Sequence, residues 1–90
     1  MNSSNPDRPR AKRLWFADAL LHVELEDGRT VSARYDLFPR LASATSAQRD
    51  RWELIGRGVG IHWPELDEDL STDGLVRDAV SIVSGRAEAS

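Results

Sequence analysis

Ninety residues hold one domain, and 40% apolar with 30% charged residues describe a foldable chain rather than a disordered one. There is no cysteine, which excludes disulfides, cysteine-ligated zinc and iron–sulfur centres, and thiol catalysis. The formal net charge of −3 speaks against a chain coated for nucleic acid, yet it divides into +3 over residues 1–13 and −5 over residues 64–80.

Residues 1–12 are polar, with two prolines and no periodicity, so a disordered basic arm is expected there. The arm has no signal-peptide apolar stretch, and apolar runs reach only four residues, as in Leu14–Ala17, where a membrane helix needs about 20. The expectation is a cytoplasmic protein with no membrane contact. The folded domain is expected over 13–83, with 84–90 a disordered tail.

Arg13–Ala17 reads as a strand, and Asp18 with Ala19 turns the chain. Leu21, Val23 and Leu25 then alternate with polar residues, as do Val31, Ala33 and Tyr35 beyond Asp27-Gly28. This is a hairpin whose register the sequence specifies. A loop of Glu26-Asp27-Gly28 sets Val23 opposite Val31 and Leu21 opposite Ala33, with Gly28 at the left-handed bulge position.

Asp36 is placed to cap a short helical turn with Pro39 near its start and Phe38, Leu41 and Ala42 inward. Thr45 and Gln48 form a capping box, which predicts a helix to about Ile55, with Arg49, Asp50 and Glu53 solvated and Gly56 as the stop. Val59–Trp63 predicts a fourth strand ended by Pro64. After the acidic Glu65–Asp69, Ser71 is expected to cap a helix over 72–83 with Leu75, Val76, Ala79, Val80 and Val83 as its apolar stripe. The fold class is α+β: a small antiparallel sheet, a three-stranded meander plus a later strand, with two to three short helices packed on one face.

The chain offers little catalytic equipment. Gly56-Arg57-Gly58-Val59-Gly60 runs from helix to strand, the wrong polarity for a phosphate loop, so a helix stop and a close backbone approach are expected. Asp69, Ser71, Asp73 and Gly74 match the first half of a calcium loop, but the twelfth position is Val80 and the ninth Arg77, so no metal site is assigned. His22 and His62 are the two imidazoles, and no serine forms a recognised nucleophile motif with either. A hydrolase or metal-dependent nuclease using His62 with Asp67 or Asp69 is the weakest of three readings. No catalytic residue and no cofactor is assigned. Trp52 is expected in the core, whereas Trp63, beside Pro64 and the acidic run, is the candidate interface anchor.

Residues 52–75, WELIGRGVGIHWPELDEDLSTDGL, resemble the hallmark of a bacterial family of domains of unknown function, family 2442. The hairpin with its Glu26-Asp27-Gly28-Arg29 turn, and Phe38-Pro39-Arg40-Leu41 followed by Thr45 and Gln48-Arg49, resemble it too. Where that family has a Pro-Leu pair after the second hairpin strand, this chain has Arg34-Tyr35-Asp36. The resemblance implies a small α+β domain, attached to a helix-turn-helix in some longer relatives. It also implies pairing with a second small protein family of unknown function, number 4160, in an arrangement like a toxin–antitoxin module. It implies no catalytic residues.

Two functional expectations follow. The first is an antitoxin-like protein-interaction module whose Trp63, Glu65, Asp67, Glu68, Asp69 and Asp73 meet a small basic protein encoded nearby. The second is a nucleic-acid-binding autoregulator, a homodimer in that case, using Arg8, Arg10, Lys12 and Arg13 of the arm.

Overall fold

The computed structural model describes residues 8–84. Residues 1–7 and 85–90, most of the expected arm and tail, lie outside them. The architecture is α+β, with two antiparallel sheets and three short α-helices among the described residues.

The first sheet is the expected meander with an unexpected fourth strand. β1 (Ala11–Ala17), β2 (Leu20–Leu25) and β3 (Arg29–Arg34) follow in order, and β7 (Ser81–Ser84) lies on the far edge of β3. The predicted register is the observed one, with Val23 opposite Val31 and Leu21 opposite Ala33. Gly28 has φ 96°, and its N–H donates to Leu25 O at 3.0 Å, closing the turn. β1 begins at Ala11 rather than Arg13, because the Arg10 carbonyl accepts the Glu26 N–H at 2.9 Å and Ala11 is buried. Lys12 is the extra residue of a bulge in that strand.

Asp18 and Ala19 form the β1–β2 turn, both left-handed at φ 55° and 64°. Aspartate tolerates that region and alanine does not, at a cost of about 1–2 kcal/mol per residue. Glycine gives back part of this through its freer unfolded state. Ala19→Gly is therefore expected to raise stability by about 0.5 kcal/mol in urea denaturation, net of that entropy.

The middle of the chain departs from the expected long helix. A 3₁₀ turn (Tyr35–Leu37) precedes α1 (Pro39–Ala42), with Pro39 at its first position as expected. Asp36 lies inside the 3₁₀ turn and pairs with Arg34 at 2.7 Å instead of capping, and Ala42 is exposed while Leu41 is buried. The capping box of Thr45 and Gln48 is present at the start of α2 (Ser46–Arg49). The helix stops at Arg49, not Ile55. Its last carbonyl, Arg49 O, would accept from Glu53 N in a continuing helix. Here the Trp63 indole N–H donates to it at 3.0 Å. Arg51 N–H has already turned to Gln48 O at 3.2 Å, Glu53–Ile55 becomes β4, and Gly56 with φ 60° ends a strand rather than a helix.

β4 (Glu53–Ile55), β5 (Gly60–Trp63) and β6 (Glu68–Ser71) make the second sheet. The predicted fourth strand thus sits outside the meander and pairs with the acidic run. Ser71 caps the last helix as expected, its hydroxyl accepting from Gly74 N at 2.9 Å. That helix, α3, covers only Thr72–Arg77. Val80 N–H donates to Ser32 O at 2.8 Å and leads the chain onto the open edge of β3. Val80 and Val83 are consequently exposed rather than part of an apolar stripe.

The core lies between the sheets. Leu14, Leu21, Val23 and Val31 from the first meet Ile61 and Trp63 from the second, with Leu41 and Leu75 added by α1 and α3. Trp52 packs half-buried against this cluster, in keeping with its expected role.

Candidate functional site

The acidic segment occupies the β5–β6 hairpin and the start of α3. Leu66 N–H donates to Trp63 O at 3.1 Å, and Asp67 closes the loop at φ 52°, a conformation that aspartate tolerates. Strand alternation then decides where each side chain goes. Ile61 and Trp63 point inward and are fully buried, with His62 outward between them. Trp63 therefore cannot anchor a partner, which corrects the expectation. Its ring packs edge-to-face with that of Phe16, centroids 6.5 Å apart, and its one donor is used on Arg49 O.

The six expected partner-facing residues do not form one patch. Asp69 stands opposite His62, and His62 opposite Glu53, so a Glu53–His62–Asp69 row crosses the outer face of the second sheet. Glu68 lies opposite Trp63 on the other face and is half-buried. Asp67 is 95% exposed, its carboxylate 3.8 Å from Arg40. Glu65 is paired with Arg51, and Asp73 with Arg77 at 2.6 Å. Glu53 is the member that sequence reading assigned only to a solvated helix face. The period-two run Glu53-Leu54-Ile55 was too short to identify as a strand.

His62 Nδ1 is hydrogen-bonded to Asp69 Oδ1. That bond raises the imidazole pKa above its ordinary 6.5 against a smaller opposing effect of desolvation, and the charges of Asp69, Glu53 and Asp67 add to the rise. The proton is thus held more tightly in the folded state. The resulting stabilisation is fully present below the unfolded value and lost as pH rises through the elevated folded value. We expect NMR titration to place His62 above 6.5, and Asp69→Asn to bring it back toward that value.

The half-match to a calcium loop dissolves in three dimensions. Asp69 and Ser71 belong to a strand, Ser71 caps α3, Asp69 engages His62 and Asp73 engages Arg77. Of the hydrolase trio, His62 and Asp69 do meet, whereas Asp67 turns toward Arg40.

The basic residues lie along β1. Arg8 and Arg10 are exposed ahead of the strand, and Lys12 is exposed at the bulge. Arg13 pairs with Glu24 at 2.6 Å and lies 5.1 Å from the Trp15 ring. Hydrogen bonding to Arg13 holds the Glu24 carboxyl below its ordinary range, against a smaller effect of desolvation. Trp15, not Trp63, is the exposed tryptophan, and it stacks on His22 with centroids 5.6 Å apart. In the neutral ring His22 Nε2 donates to Ala17 O at 3.2 Å, since a carbonyl can only accept, and Nδ1 then accepts from the Ser32 hydroxyl at 2.7 Å.

Arg49 is the residue whose environment sequence reading missed. Expected on a solvated helix face, it is half-buried, with its guanidinium carbon 4.7 Å from the Tyr35 ring and 5.8 Å from that of Phe16. No local pattern announces this, because the two aromatics come from β1 and the 3₁₀ turn.

No helix among the described residues is long and apolar enough to cross a membrane. No curated protein matches the chain. A crystal structure of a protein of unknown function from Rhodospirillum rubrum ATCC 11170 is similar, with a TM-score of 0.70 and 36% identity over 79% of this chain and 88% of that one. Residues 11–81 match the family described as protein of unknown function (DUF2442). They include the hairpin, the Trp52–Leu75 segment and the whole second sheet, and the chain therefore belongs to that family.

Proposed function

We propose that this protein is a binding module rather than an enzyme, the antitoxin-like member of a bacterial two-protein system, acting in the cytoplasm on a small basic partner. The observation that supports this reading is the outer face of the second sheet. Glu53 and Asp69 flank His62 in one cross-strand row, and Asp67 projects almost fully into solvent beside it. Opposite charge on a partner accelerates encounter and fixes orientation, and Asp67 and Asp69, 95% and 68% exposed, serve that better than Glu65 and Asp73 at 39% and 53%. Glu65 and Asp73, held by Arg51 and Arg77, contribute mainly to the local fold.

The test is co-expression with the small basic protein encoded beside it. The two are expected to co-purify and the toxicity of the partner to be relieved. Asp67→Lys with Asp69→Lys should abolish co-purification at physiological salt while the circular dichroism spectrum is kept. Undiminished co-purification of that variant refutes the surface, and a partner that neither binds nor is neutralised refutes the function.

A second reading rests on Arg8 and Arg10, exposed ahead of β1, and Lys12, exposed at its bulge. A nucleic-acid-binding autoregulator using them would show operator binding that weakens steeply with salt. Arg13, already paired with Glu24, would matter least.

A further inference from the structure

Arg49 sits in an open cleft of about 220 Å³ between the β1–β2 turn, the 3₁₀ turn and α2. Phe16 and Tyr35 contribute to its wall, and Asp18, Ser46 and Asp50 are exposed at its mouth. The guanidinium is only partly satisfied by the fold. Its Nη1 donates to Leu41 O at 3.2 Å and to Ala44 O at 2.7 Å. Its Nε is buried without an acceptor, and Nη2 has no hydrogen-bond partner among the described residues. Nor does Arg49 take part in an ion pair among those residues, although every other arginine from 29 to 51 does. A half-buried cation with spare donors and no counter-ion is costly to hold. The aromatic faces offset part of that cost and leave Nη2 free for a carboxylate.

The rim narrows the ligand class. Two exposed carboxylates at the mouth repel phosphates and nucleic acid, but they favour a ligand that carries a cation next to its carboxylate. The volume is below the range of drug-sized sites, roughly 300–1,000 Å³, so the ligand is small. We propose that this cleft binds a zwitterion of the α-amino-acid type. Arg49 Nη2 would donate to its carboxylate, Asp18 or Asp50 would accept from its ammonium, and Phe16 and Tyr35 would face its body. This inference is independent of the partner surface on the second sheet.

The buried Nε–H of Arg49 supplies the readout, because its shielding slows exchange and makes its proton–nitrogen NMR signal observable. The signal is assigned by its absence in Arg49→Lys. Titration of the full chain with L-phenylalanine and with glycine should shift it saturably, with half-saturation on the order of millimolar, and acetate should bind about tenfold more weakly or less. Inorganic phosphate should leave it unmoved. Ser46→Tyr, which fills the mouth, should weaken amino-acid binding about tenfold or more with the melting temperature kept. Should that variant fail to fold, Asp18→Asn with Asp50→Asn provides the second arm, lowering amino-acid binding to the level of acetate. No saturable shift with either amino acid overturns the site. Equal shifts with acetate, or a stronger response to phosphate, overturn the zwitterion assignment.

Discussion

Gly58→Ala is expected to cost about 3 kcal/mol or more of folding free energy, measured as a fall in the urea midpoint with an unchanged slope. Two causes add. Gly58 has φ 95°, a region that alanine rarely adopts. A β-carbon there would also stand 2.3 Å from Ala11 O and 2.9 Å from Ala11 N. These are backbone atoms at the start of β1, so relief requires moving the strand rather than turning a side chain. The Gly58 carbonyl is meanwhile held by the Thr72 hydroxyl at 2.6 Å, inside the core. Three separate segments of chain thus converge at Gly58, and one of them, the start of β1, fills the space of its missing methyl group. Gly60→Ala is the internal control. Its β-carbon would meet Ile55 Cγ1 at 2.9 Å, but Ile55 is 44% exposed and can move aside. A loss of about 1 kcal/mol is expected there. Equal losses at the two glycines would refute the backbone contact at Gly58.

Trp63→Ala should cost about 3–5 kcal/mol, the range for emptying a fully buried aromatic site. Trp63→Phe separates volume from hydrogen bonding. It keeps most of the ring but leaves Arg49 O without its donor, for a loss of about 1–3 kcal/mol. The same variants separate two roles for this residue. A surface anchor would lose partner affinity with stability intact. A core residue loses stability, and any loss of partner binding follows the unfolded fraction. Thermal melts of both variants beside a partner pull-down distinguish them, and a Trp63→Phe protein of native stability would contradict the structure.

Much of the first sheet is legible in the sequence because its signals are local. The alternation of Leu21, Val23 and Leu25, the mirrored alternation after Gly28, and the need for a left-handed residue in the loop together allow one register. The Thr45–Gln48 capping box and the Ser71 cap are likewise short-range, each closed within three residues. The ends of those two helices are not local. At Arg49 the chain could have continued as helix. It stops where Arg51 N–H turns to Gln48 O, and an indole fourteen residues away covers the carbonyl that a further turn would use. At Val80 an amphipathic pattern suited a helix equally well, but the unpaired edge of β3 offered backbone partners that a helix would not fill.

The candidate site divides in the same way. By itself the sequence determined the family, the hairpin, two helix starts, and the separation of a basic leading end from an acidic later segment. It also held a signal for the burial of Trp63 that went unused, since Trp63 alternates with His62 and keeps phase with Ile61. Only the tertiary structure decided that the acidic run splits between two faces of a sheet, that Glu53 joins Asp69 across His62, and that Arg49 lies against Phe16 and Tyr35. The physical reason is range. Turns and caps are closed by neighbours a few residues away, which the chain carries with it. Strand pairing and the burial of a charge depend on partners that only the folded molecule brings together.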